Sequence, residues 1–62
     1  MTITERLNEV GSLVKKGDYK SADKKIETLW EDYNRGVFFD EDDGMYLTIL
    51  TDDICAYFYD NK

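Results

Sequence analysis

The chain has no histidine, one cysteine (Cys55), and no apolar run approaching the length of a membrane span. Without histidine, the side chain best suited to moving protons near neutral pH is missing. A single cysteine cannot close an internal disulfide, and one cysteine without histidine cannot build an ordinary structural zinc site. Cys55 also lacks the histidine that would activate a thiolate nucleophile, so its expected role is buried filler. The four glycines stand apart at 11, 17, 36 and 44, so no loop cradles a phosphate. The adjacent carboxylates Asp52 and Asp53 are chemically able to do acid–base work, but adjacent acids on a helix usually face water. These absences disfavour an enzyme: no catalytic, cofactor-binding or metal-binding residues are expected.

Met1–Leu7 mixes charged with apolar residues and has no apolar core of a signal peptide. With a lone thiol, which suits a reducing compartment, this points to the cytoplasm. The acidic run Asp40-Glu41-Asp42-Asp43 raises the question of calcium. In an EF-hand register starting at Asp40, Gly44 and Met45 miss the fifth and sixth positions, and Thr51 falls where a bidentate glutamate is needed. A solvated helix start is the better reading.

What the chain does have is an uneven distribution of charge. Residues 1–36 carry seven acids and seven bases, whereas residues 37–62 carry seven acids against Lys62 alone, so the whole net charge of −6 arises in the second part. The same part holds six of the nine aromatic residues: Phe38, Phe39, Tyr46, Tyr57, Phe58 and Tyr59. An acidic surface of this kind favours basic partners and repels nucleic acid and anionic membrane. With 42% apolar and 15% aromatic residues, the chain is expected to fold. At 62 residues it is one domain, and a domain of this size buries only about 60% of the surface its unfolded chain exposes.

Three segments carry helical periodicity. The first, Thr2 to Lys16, opens with a capping box, Thr2-Ile3-Thr4-Glu5, and places Ile3, Leu7, Val10 and Val14 on one face. Lys15 and Lys16 suit its last turn, and Gly17 closes it. Gly11, costly inside a helix, sits at the edge of the apolar stripe, where it permits close helix–helix approach. The second segment runs from Asp18 or Tyr19 to Asn34. Its stripe is Tyr19, Ala22, Ile26, Leu29, Trp30 and Tyr33, with Trp30 expected in the core. Its lysines crowd the first half and its acids the second, the wrong way round for the helix dipole. Arg35 and Gly36 end it, and Val37, Phe38 and Phe39 are expected to tuck under the bundle.

The third segment, about Glu41 to Asp60, reads in two ways. As a helix it puts Tyr46, Leu47, Leu50, Ile54, Tyr57 and Phe58 on one broad face. As strands, Met45–Thr51 and Ile54–Tyr59 form a hairpin around Asp52-Asp53. The helical spacing and the lack of glycine at the turn favour the helix. The expected fold is all-α, a small three-helix bundle made of an antiparallel hairpin plus a third helix.

Lys16-Gly17-Asp18-Tyr19-Lys20-Ser21-Ala22 resembles the turn between the two helices of a tetratricopeptide repeat, with its Gly-Asp-Tyr-x-x-Ala pattern. Ala22 matches the small residue that lets the second helix of that family pack on the first, and Ile26, Leu29 and Trp30 fall at its apolar positions. Tyr57–Lys62 resembles the end of a further repeat's first helix. The likeness spans residues 10–33 and implies an antiparallel helical hairpin, although Val10-Gly11 stands one residue closer to Gly17 than the family's Leu-Gly pair does.

The candidate site is the second face of the third helix, turned away from the core stripe: Met45, Ile49, Asp52, Asp53, Ala56, Tyr59 and Asp60. Apolar anchors rimmed by acids suit a protein-binding patch. The bland alternative is that this face packs on Val37–Phe39 or on a second copy in a homodimer. The functional expectation is a small acidic protein that binds and inhibits or modulates a basic, nucleic-acid-handling protein, as phage or mobile-element inhibitors and immunity proteins do. The alternative is a homo-oligomeric helical adaptor. Neither direct nucleic-acid binding nor membrane binding is expected.

Overall fold

Each of the first two helices begins and ends on the chemistry its termini require. A computed structural model describes residues 1–60, with Asp60 described in its backbone only; the Asp60 side chain, Asn61 and Lys62 lie outside the described residues. Helix α1 spans Ile3–Lys16 with Thr2 as its cap. The Thr2 hydroxyl accepts from the Glu5 N–H at 3.1 Å, and the Glu5 carboxylate accepts from the Thr2 N–H at 3.0 Å. The Thr2 backbone bond first, and its side chain second, hold the Glu5 carboxyl below its ordinary value. A carboxyl depressed in the folded state contributes fully above its unfolded pKa and loses that contribution as pH falls through the folded one. Helix α1 closes at Gly17, in the left-handed conformation at φ 82°, with its N–H and that of Asp18 returning to Val14 and Leu13.

Helix α2 spans Tyr19–Asn34, and the Asp18 carboxylate accepts from the Ser21 N–H at its start. Gly36, at φ 97°, repeats the glycine ending: the N–H groups of Gly36 and Val37 return to Tyr33 and Asp32. Helix α3 spans Glu41–Asp60 without a break, and Asp40 caps it through the Asp43 N–H at 2.8 Å. Of the two readings of this segment, the favoured helix is the one observed, and it is unbroken. Asp40–Asp43 opens a helix, which is the solvated start expected of it, and Glu41, Asp42 and Asp43 fall where acids complement the dipole.

The core consists of Leu7 and Val10 from α1, Ala22, Ile26 and Leu29 from α2, and Leu47, Leu50 and Ile54 from α3. All three helix pairs are in contact. The side-chain pairings set their directions. Arg6 reaches Asp32 and Lys25 reaches Glu9, so α1 and α2 run antiparallel. Thr4 donates to Asp43 while Gly11 lies against Tyr46 and Leu50, so α1 and α3 run parallel. Gly11 is buried, as its place beside the apolar stripe implies. A Cβ there would overlap the Tyr46 hydroxyl and stand 3.2 Å from Tyr46 Cζ.

Two of the reversed charges of α2, Lys25 and Asp32, find counterions on α1. Arg6 binds Asp32, in the last turn of α2, at 2.6 Å and also donates to the Thr28 hydroxyl at 3.2 Å. Lys25 meets Glu9 at 2.6 Å. The unfavourable order along α2 is thus a favourable order across the α1–α2 seam.

Several expectations about the core need correction. Trp30 is half-buried at the core's edge, packs there, and donates from Nε1 to the Thr51 hydroxyl at 2.9 Å. An indole with a polar N–H is satisfied better at this boundary than in the centre. Tyr33 is exposed, though it meets Trp30 and Phe39 edge-on. Of Val37–Phe39, only Phe39 packs inward; Phe38 is 80% exposed and Val37 is exposed too. Phe38 and Phe39 are successive residues of a non-helical segment, so the inward turn of Phe39 directs Phe38 to solvent. Tyr57 and Phe58 lie exposed at the edges of the α3 core face, where Tyr57 stacks on Tyr19 with ring centroids 4.0 Å apart.

Two measurements check this packing. Gly11→Ala gains up to about 1 kcal/mol of helix propensity but must displace Tyr46, at a cost of about 1–3 kcal/mol, so the net effect is a loss. In a Tyr46→Phe background the overlapping atom is gone and the loss should shrink towards zero; urea unfolding of the four proteins of this cycle measures it. An equal loss in both backgrounds would refute the contact. Across the seam, Asp32→Ala should cost about 1–3 kcal/mol, since it removes a charge-assisted hydrogen bond from the half-buried Arg6. Lys25→Ala, at an exposed pair, should cost no more than about 1 kcal/mol.

Candidate functional site

Helix α3 is apolar on more than one side. With its core face at Leu47, Leu50 and Ile54 turned inward, a rotation of about 100° per residue carries Met45, Ile49, Asp52, Ala56 and Tyr59 to the opposite side. The structure leaves these residues uncovered. Met45 is 60% exposed, Ile49 52% and Tyr59 67%, and Asp52, Asp53 and Ala56 are exposed with them. Asp60, described in its backbone only, takes the position on the helix beside Asp53. All seven residues of the candidate face therefore belong to one continuous helix, and six of them have side chains that reach solvent.

The charge around this face is of one sign. Residues 41–60 contain six acids (Glu41, Asp42, Asp43, Asp52, Asp53 and Asp60) and neither lysine nor arginine. Glu41 and Asp42 are exposed at the N-terminal end of the face, whereas Asp43 turns back to accept from Thr4 at 3.0 Å. Asp52 lies in line with the apolar residues, and Asp53 flanks them. The Thr48 and Thr51 hydroxyls return to the carbonyls of Gly44 and Leu47, so neither offers its proton to a partner. What remains is a row of large apolar groups in a negative field. Chemically it can bury hydrophobic surface and attract cations.

Cys55 corrects an expectation. The thiol is exposed, not buried. It follows Ile54 by one residue, and one residue is about 100° of helix, which takes it out of the core face. Its apolar character pointed inward, but its angle on the helix decides. Among the described residues, no three His, Cys, Asp or Glu side chains gather into a metal-holding cluster, and no helix is long and apolar enough to cross a membrane.

Sequence reasoning missed one concave feature. A groove of about 430 Å³ lies between the start of α2 and the end of α3, lined by Gly17, Asp18, Tyr19, Lys20, Tyr57 and Phe58. It forms because Tyr57 stands on Tyr19 while Phe58 turns edge-on to Tyr57. The available signal was the width of the α3 stripe, too broad for two neighbouring helices to cover. No family model, curated protein or solved structure matches the chain.

The exposed thiol is directly testable. Cys55 in the native protein should react with a chromogenic disulfide reagent to one equivalent, at a rate within about tenfold of the urea-unfolded chain, as an accessible thiol does. Protection that lifts only on unfolding would place Cys55 in the interior.

Proposed function

We propose that this protein is a small, acidic, non-enzymatic binding protein that docks through the outer face of α3 on a basic protein and inhibits or modulates it. The observation that carries this reading is that Met45, Ile49 and Tyr59 are exposed on a helix whose other side already closes the core. Exposed apolar residues that gather on one face, ringed by charge, are the usual anatomy of an interaction surface. The net charge of −6 adds long-range attraction to a basic partner and repulsion from nucleic acid and anionic lipid. A nucleic-acid-handling protein is the natural class of target, because its working surface is basic. Inhibitors of phage and mobile-element origin and immunity proteins use acidic and aromatic side chains in this way, and the likeness to them is one of composition. The expected setting is the cytoplasm, where a free thiol is stable. The second reading is a homo-oligomeric helical adaptor built on a tetratricopeptide-like hairpin, which is favoured by the same uncovered apolar face.

Immobilised protein should capture its target in a salt-sensitive manner, and mass spectrometry of the low- and high-salt eluates identifies it. Surface plasmon resonance then separates two kinds of residue. Asp52→Asn and Asp53→Asn should slow association and flatten its dependence on salt, because rim charges act through long-range steering. Ile49→Ala and Tyr59→Ala should speed dissociation, because anchors act through short-range packing. The Asp52→Asn, Asp53→Asn and Ile49→Ala variants should unfold within about 0.5 kcal/mol of the parent, as substitutions at exposed surface do. Unchanged kinetics in all four would remove this face from consideration, and a melting temperature that rises with protein concentration would favour the adaptor.

A further inference from the structure

The outer face of α3 has a spacing that goes beyond mere exposure. Met45, Ile49, Asp52, Ala56 and Tyr59 follow one another at steps of four, three, four and three. That is the 3.5-residue period of a coiled-coil seam, in which alternate positions meet a second helix along its length. The core face of the same helix is used up by Leu47, Leu50 and Ile54. The seam runs 14 residues, about 21 Å at 1.5 Å per residue, which is four turns of a docked helix. Side-chain sizes along it suit such an occupant: Met45 adapts its shape, Ala56 permits close approach, and Ile49 and Tyr59 supply the bulk.

The middle of the seam decides what kind of helix fits. Asp52 is the central residue of the five, and α3 carries no lysine or arginine between Glu41 and Asp60. A second α3 laid on the first in parallel would bring Asp52 against Asp52. Laid antiparallel, it would bury Asp52 against Asp52 or Ile49. In neither direction does the copy offer a cation, and a buried carboxylate without one is costly. The flanking Asp53, with the acids at the start of α3, adds repulsion between copies. A helix from another protein bearing arginine or lysine at its central seam position meets all of these conditions at once.

We propose that the outer face of α3 is one half of a two-helix seam whose occupant is an amphipathic helix of a basic partner, with a central arginine or lysine paired to Asp52. This rests on the proposed binding function and specifies the form of the partner. Asp52 then sets specificity: it rejects a second copy and selects a cationic helix, as single polar seam residues do. The 3.5-residue period implies a crossing angle of about +20°, the angle of left-handed helix pairs.

The test uses the full chain and labelled synthetic peptides of about 18 residues, long enough to cover the seam. Each peptide carries leucines at four-and-three spacing, with arginine or glutamate at the central position. Fluorescence anisotropy should give at least about tenfold tighter binding of the arginine peptide to the parent protein. Asp52→Arg should reverse the order, while circular dichroism and Trp30 emission confirm that the variant is folded. Sedimentation equilibrium should find the parent monomeric and Asp52→Leu, whose seam is wholly apolar, dimeric. Equal affinity for the two peptides, or no binding of either, overturns the proposal. So does a parent dimer that Ile49→Arg dissolves, since the face then belongs to a second copy. A proline placed next to the central arginine, which is itself kept, should abolish binding. If an extended basic peptide binds as well as the helical one, the helical occupant is wrong while the broader reading of a basic partner stands.

Discussion

The absence of a side chain at Gly11 is what lets Tyr46 lie across α1 where α1 and α3 meet. Tyr46 of α3 crosses the backbone of α1 at that point, with its hydroxyl where any Cβ would stand. Leu50 lies alongside, and Leu47 and Ile54 belong to the same apolar cluster as Leu7, Val10 and Leu29. Helix propensity argues against glycine in the middle of α1. Packing overrides it, because with eight hydrophobic side chains buried among the described residues, holding α3 further out would forfeit contacts the core cannot spare.

The second constraint is electrostatic and lies between α1 and α2. Taken alone, α2 has its charges in the order its dipole disfavours. Set against α1, the same order pairs Arg6 with Asp32 and Glu9 with Lys25 and so helps to fix the antiparallel direction. Local and tertiary preferences conflict here, and two short contacts across the seam, one of them half-buried, offset the local cost.

Helices α1 and α2 provide the covering surface available to α3. A helix between two others can hide little more than half its circumference, and α3 is apolar over a wider arc than that. Tyr57 and Phe58 are left at the edges, Phe38 points away from the bundle, and Met45, Ile49 and Tyr59 stand on the far side. Asp52 and Asp53 are exposed on that same arc. Function, on this view, occupies what packing cannot reach.

The helices and their ends were legible in the residues alone. Thr2 and Glu5, Asp18, Gly17 and Gly36 act through bonds to neighbours within about five positions, so their effect does not depend on the rest of the fold. The two faces of α3 were legible for the same reason, since helical rotation follows from position in the chain. Depth of burial was not. Trp30, Tyr33, Phe38 and Cys55 are all apolar enough to be assigned inward, yet they lie at the edge or outside, because burial depends on how much surface the other two helices can cover. The counterions of α2 were likewise invisible until α1 was laid beside it. The sequence by itself determined where each helix begins, ends and turns its faces, because those are short-range interactions. Only the tertiary structure decided which apolar residues go uncovered, because that is set by the area three helices can enclose.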